Sequence, residues 1–176
     1  SPQGLAFNND GTKMFVTGWN GQNVTEYTCA AFDVSTCEVV VEGEKDVSNE
    51  ETSPTGIAFN TDGTKMFVTG QDADNVNEYT CAAFDVSTCV VDAGDPFSLT
   101  DQETSPRGIA FNNDGTKMFV TGIIGEDVNE YTLQVGFDFD GVPSSNCYDC
   151  TPPVLQNAHI TISSNDYVVA TGDEPV

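Results

Sequence analysis

The sequence predicts an all-β fold made of three repeated four-stranded units, and three observations predict it. Ser1-Pro2, Ser53-Pro54 and Ser105-Pro106 open near-identical stretches at positions 1, 53 and 105, an interval of 52 residues. A fixed period of that length marks a repeat architecture. Apolar residues fall in short blocks bounded by glycine or proline, without the 3.6-residue period of a helix. Asp10-Gly11, Asp62-Gly63 and Asp114-Gly115 recur in register, each placing a turn-forming glycine between two apolar runs.

The middle copy shows each element in order. Gly56–Asn60 is a short strand, and Thr61-Asp62-Gly63-Thr64 is a turn in which glycine supplies a positive φ. Lys65–Gly70 returns as a second strand, and a loop, Gln71-Asp72-Ala73-Asp74, leads to a third over Asn75–Cys81. After Ala82–Ser87, a fourth run over Thr88–Val91 pairs back on the third. Phe67 and Val68 are adjacent and apolar, so both faces of the sheet need cover. Sheets stacked face to face, as in a β-propeller, provide it.

Six cysteines form three local pairs, Cys29/Cys37, Cys81/Cys89 and Cys147/Cys150. The first two pairs hold equivalent repeat positions, and in the third copy both positions change together, to Leu133 and Gly141. Joint loss is what a bonded pair predicts, so Cys29–Cys37 and Cys81–Cys89 are read as disulfides. Each closes a loop between adjacent strands and contributes about 2–3 kcal/mol through the unfolded state. Such bonds imply an oxidising, extracellular setting. Cys147-Tyr-Asp-Cys150 has CxxC spacing without a βαβ context or further zinc ligands, and is read as a third local disulfide.

The motif SPxG-[IL]-AFN-x-DGTKMFVTG at residues 1–18, 53–70 and 105–122 resembles the blade motif of YVTN-type and NHL-type propellers. It is also similar to the PxG-[IL]-AF-x-x-DG blade opening of gluconolactonase-like proteins. The resemblance covers roughly residues 1–135 and implies propeller blades. Those families include enzymes, binding platforms and structural surface proteins, so it does not choose among activities. Gluconolactonase-like enzymes hold a divalent metal with Glu, Asn and Asp side chains, a set with no residue-by-residue counterpart here.

Acidic residues number 28 against 5 basic ones, for a net charge of −23. Nucleic acid is thereby excluded as a partner, because only Lys13, Lys45, Lys65, Arg107 and Lys117 could meet phosphate. Anionic lipid is disfavoured for the same reason, and no stretch approaches the ~18 apolar residues of a membrane span. The acidity serves solubility in a salty extracellular medium or binds cations such as Ca²⁺. Ser1 is the first residue of a repeat, as expected of a processed or trimmed chain.

Function is sought where the copies differ, in the loop after the second strand: Trp19-Asn20-Gly21-Gln22, Gln71-Asp72-Ala73-Asp74 and Ile123-Ile124-Gly125-Glu126, followed by Asp127. These loops are expected on one face, where Trp19, Asn20, Gln71, Asp72, Asp74, Glu126 and Asp127 are the ligand candidates. An exposed Trp19 ring could stack on sugar or peptide. Asp138 and Asp140, in Phe137-Asp138-Phe139-Asp140-Gly141, are spaced like Ca²⁺ ligands but lack the later ones of a full loop. Asn23-Val24-Thr25 is a glycosylation sequon. No catalytic residue is assigned; His159, the one histidine, sits in an alternating run as an ordinary strand residue.

The organisation expected is blade 1 over 1–52, blade 2 over 53–104 and blade 3 over 105–141 with a divergent outer strand. A linker over 142–153 carries the CxxC, and 154–176 resembles the opening of an immunoglobulin-like sandwich or supplies docking strands. A propeller ring needs at least ~4 blades, so three leave it open. The favoured function is a non-enzymatic structural or adhesive module of a secreted cell-surface protein, such as a surface layer, extracellular fibre or adhesin. Its partners are other copies of itself or neighbouring domains, and a glycan. The alternative is a metal-dependent lactonase-like or glycan-binding propeller whose site lies in further blades.

Overall fold

The structure, a computed structural model, describes residues 1–94, 96–125, 127–133, 136, 137 and 139. Blade 1 comprises β1 (Pro2–Phe7), β2 (Lys13–Gly18), β3 (Asn23–Ala30) and β4 (Asp33–Asp46). Blade 2 comprises β5 (Pro54–Phe59), β6 (Lys65–Gly70), β7 (Asn75–Ala82), β8 (Asp85–Val91) and the short β9 (Phe97–Ser98). Blade 3 contributes β10 (Pro106–Phe111), β11 (Lys117–Gly122) and β12 (Val128–Thr132). Each blade is an antiparallel meander in sequence order, and no helix occurs among the described residues. The CxxC, His159 and the segments expected as linker and sandwich lie outside the described residues.

The outermost strand differs between copies for a local reason. In blade 1, β4 is a single strand that pairs Thr28 with Glu38 and Asn23 with Asp46, and residues 40–43 bulge out between the Tyr27–Val39 and Thr25–Glu44 pairs. In blade 2 the same path is split: β8 pairs Thr80 with Val90, and β9 pairs Asn75 with Ser98. Pro96, which has no N–H to give the ladder, replaces Glu44 at the break. The fourth run expected over Thr88–Val91 starts three residues earlier, at Asp85, because the hairpin before it is tight.

That hairpin is held in an unusual backbone conformation. Ala83 and Phe84 have φ of 41° and 60°, a region that costs a bulky residue strain. Three contacts fix it. The Phe84 N–H donates to Gly63 O at 2.9 Å, its ring covers Gly63 where a Cβ would overlap it, and the Cys81–Cys89 disulfide ties the flanking strands. Blade 1 repeats this with Phe32, Gly11 and Cys29–Cys37. In blade 3, Phe137 keeps a positive φ and its bond to Gly115 O without a disulfide, while Leu133 fills the core position of Cys81.

The blades stack face to face, and the repeat supplies the same residues to each interface. Phe15, Val24 and Val47 of blade 1 enclose Met66, Val68, Tyr79 and Val86 of blade 2. Phe67, Val76 and Leu99 of blade 2 enclose Met118, Val120 and Tyr131 of blade 3. Phe67 and Val68, adjacent in β6, are thus buried on opposite faces against different blades. The inner strands approach so closely that a Cβ on Gly4 would lie 2.6 Å from Thr55 O, which is why glycine stands there.

Charge pairs cap each interface. Lys13 pairs with Glu26 at 2.7 Å and also donates to Phe84 O, while the Val86 N–H donates to Glu26. One blade further on, Lys65 bridges Glu78 (2.5 Å) and Asp92 (2.7 Å), and the Phe139 N–H donates to Glu78. Burial pulls the Lys65 ammonium down, but hydrogen bonds to Asp92 and Glu78 outweigh it and raise it overall. Burial raises the Glu78 carboxyl. In blade 3 the equivalent pair, Lys117 with Glu130, faces solvent.

The end blades therefore expose what the middle blade buries. Val128 is 47% exposed where Val24 and Val76 are fully buried. On blade 1, Met14, Val16, Tyr27 and Val34 line an open groove of about 460 Å³.

Candidate functional site

The variable loops gather at one end of the stack, and those of blades 2 and 3 are each tied down by a carboxylate from the segment that enters the inner strand of the same blade. Glu51, 1% exposed, accepts the Ser53 N–H at 2.7 Å, the Asp72 N–H at 3.3 Å and the Ala73 N–H at 3.2 Å. Glu103 does the same for Ser105, Ile124 and Gly125, at 2.7, 3.3 and 3.0 Å. Room for these carboxylates comes from Gly70 and Gly122, where a Cβ would overlap them. In blades 2 and 3 the terminal glycine of the KMFVTG run is therefore a seat for a buried acid.

Several expected ligand residues turn out to be engaged in holding the loops. Asp72 accepts hydrogen bonds from Ser53 Oγ (2.6 Å) and Thr52 Oγ1 (2.5 Å), which hold its carboxyl below the usual range. Gln71 donates to Ser105 Oγ at 3.0 Å. Asp74 adopts a φ of 52° and its carbonyl accepts the Leu99 N–H, and Asp127 accepts from the Asn129 side chain at 3.0 Å. Asn20 is exposed. Asn23 is half-buried in β3, paired with Gly18 and Asp46. Glu126, Asp138, Asp140, Cys147 and Cys150 lie outside the described residues. Among the described residues no three His, Cys, Asp or Glu side chains gather as a metal site would need.

Trp19 is 38% exposed and is joined by a residue the repeat pattern did not single out. The Arg107 guanidinium lies over its ring, 5.5 Å from the centroid. Arg107 starts from β10 in blade 3, whereas Trp19 follows β2 in blade 1, so the pair spans the blade between them. One signal could have found it. Lys13, Lys65 and Lys117 share one repeat position, but Arg107 stands where the other copies carry Gln3 and Thr55.

No protein-family model matches the chain, and no curated protein matches it. Solved structures do. A protein from Bacteroides uniformis described as a candidate 6-phosphogluconolactonase aligns with 76% of the chain at 12% identity, with a TM-score of 0.56. A Lactobacillus plantarum protein aligns with 74% at 16% identity and 0.56, and Kuenenia stuttgartiensis hydrazine synthase with 74% at 20% identity and 0.53. The fold is that of β-propeller blades. At such identities the likeness shows the fold alone, and the chain spans 37%, 37% and 32% of those three structures.

On the opposite end of the propeller blades, the hairpin turns are linked around the inner strands. Asn9 donates to Thr61 O at 2.7 Å and Thr61 to Asn113 O at 3.3 Å. A pocket of about 250 Å³ opens there between Phe7, Phe59 and Phe111. Its polar rim is largely spent on these bonds, leaving the Trp19 end as the better candidate for recognition.

Proposed function

We propose that the chain is a non-enzymatic structural or adhesive β-propeller module of a secreted cell-surface protein, joined through its end blades to further blades of the same sequence. One observation carries this reading. The residues that form both internal interfaces recur on the end blades, where Val128, Phe119 and the Lys117–Glu130 pair on one side and Val16, Tyr27 and Val34 on the other have no covering blade among the described residues. A second copy presents the complementary face with the same side chains. Each interface already demonstrated within the chain is a template for one between chains. The two disulfides are consistent with an extracellular protein, and no helix among the described residues is long and apolar enough to cross a membrane.

Sedimentation velocity on the 176-residue protein at rising concentration tests this. Mass should grow with concentration, and more so at high salt, because copies carrying −23 each repel one another until screened. Val128→Glu should suppress the growth without altering the melting temperature of the dilute protein. A folded monomer at every concentration and salt would sink the proposal.

The second reading, a metal-dependent lactonase-like or glycan-binding propeller, draws support from two Bacteroides neighbours described as candidate 6-phosphogluconolactonases. Divalent-cation-dependent hydrolysis of a gluconolactone by the chain would favour it.

A further inference from the structure

We propose that Trp19 and Arg107 form a recognition site for an oxyanion, a carboxylate or phosphate, carried on a sugar ring. The inference starts from how the chain uses its five basic residues. Lys13, Lys65 and Lys117 each pair with glutamate at a blade face. Lys45 lies over the Tyr79 ring at 5.7 Å, between blades 1 and 2. Arg107 alone is given to neither a carboxylate nor a blade face: among the described residues its guanidinium makes no ion pair. In so acidic a chain, a guanidinium with no carboxylate partner among the described residues is a departure that calls for a cause.

Its donors point the same way. Arginine carries five N–H groups in a rigid fork, and the Nε of Arg107 is buried with no hydrogen-bond partner among the described residues. A buried, unpaired donor is destabilising unless something binds it. The fork matches the two oxygens of a carboxylate or phosphate, and an arginine stacked on an aromatic ring loses little further freedom when it binds.

The partner ring adds the rest of the ligand's chemistry. Trp19 gives a flat apolar surface that remains 38% exposed beside the guanidinium, suited to the C–H face of a sugar. Both residues sit where the repeats diverge. At the equivalent positions in blade 2, Thr55 donates to Pro106 O and Gln71 to Ser105 Oγ, so those side chains are occupied within the protein. The unpaired set occurs only where Trp19 and Arg107 replace them. A free metal cation is the wrong occupant beside a fixed positive charge, and a long polyanion would be repelled by the −23 chain. A small or terminal anionic sugar meets neither objection.

Trp19 is the chain's single tryptophan, so its emission reports on this site alone. The intact protein would be titrated with galacturonate, glucose 6-phosphate, inorganic phosphate, neutral glucose and sodium chloride at matched ionic strength. The expected result is a saturable change with galacturonate or glucose 6-phosphate, the stronger of the two identifying the anion. Glucose and chloride should give none, and inorganic phosphate a weaker response because it has no ring to stack. Arg107→Gln should weaken binding at least about tenfold, a difference of about 1.4 kcal/mol, while Lys45→Gln leaves it unchanged. Should Arg107→Gln melt early, Arg107→Lys, which keeps the charge and loses the fork, is read in its place with the same expectation. No saturable response to any sugar anion, an equal response to glucose or chloride, or binding unaffected by the Arg107 variants would overturn the assignment.

Discussion

Phe15, Phe67 and Phe119 occupy one repeat position, fully buried against the next blade in the first two copies and half-buried in the third, which turns the stacked-blade architecture into a measurable difference. Phe67 is fully buried, with the rings of Phe111 and Phe139 from blade 3 at 4.5 and 5.4 Å. Truncating such a ring to alanine removes its transfer free energy, leaves a cavity and breaks the ring pairs, for about 3–5 kcal/mol. Phe119 has the same strand neighbours but no blade beyond it among the described residues, and is half-buried. Phe119→Ala should therefore cost only about 1 kcal/mol. For a chain of this size each kcal/mol lowers Tm by about 2–4 °C, so the Phe67→Ala loss should be roughly 6–20 °C and the Phe119→Ala loss a few degrees. Differential scanning calorimetry, on a Val128→Glu background that keeps the chain monomeric, measures both. Equal losses at the two positions, or a Phe67→Ala loss under about 1 kcal/mol, would show that the blades do not stack as described.

Two other expectations concern the loops and the pH profile. Removing the buried acceptor in Glu51→Ala leaves three backbone N–H groups without a partner, and should destabilise by about 3 kcal/mol or more; hydrogen exchange at Asp72 and Ala73 should accelerate, and unchanged protection there would dismiss the latch. At high pH, the phenols of Tyr79 and Tyr131 are held above their ordinary 10.0 chiefly by burial, and Lys65 stays above 10.5 through Asp92 and Glu78. Above pH 10 the unfolded chain loses protons that the folded chain keeps, so stability must fall as pH rises. Urea unfolding at pH 8 and 11 should show that loss, reduced in Tyr79→Phe; equal midpoints would contradict it.

The repeat, the strands, the bonded cysteines and the need to cover both faces of β6 were legible because each leaves a periodic trace. Glu51 and Glu103 were not. A buried acid satisfied by backbone N–H groups carries no pattern of its own, and Glu-Thr-Ser-Pro looks like an exposed spacer. The loop carboxylate Asp72 reads as a free ligand for the converse reason, since sequence shows a charge but not the Ser53 and Thr52 hydroxyls already bound to it. The Trp19–Arg107 contact was hidden by topology, because it joins two blades with a third between them in the sequence. The broken outer strand of blade 2 could have been read from Pro96, whose lack of an N–H is a property of the residue itself.

The sameness of the two interfaces has a consequence for how such a chain can change over generations. Any blade offers its successor the same Phe, Val and Lys–Glu surface and offers its predecessor the same Met, Val and Tyr surface. Unequal recombination between the repeats would add or delete one whole unit and leave every remaining junction chemically familiar. Length can then drift in steps of one unit without a new core having to be invented. What cannot be exchanged so freely is a pairing like Trp19 with Arg107, which depends on which copy stands two places from which. In a protein of interchangeable parts, such order-dependent contacts are what would give one arrangement an advantage over another.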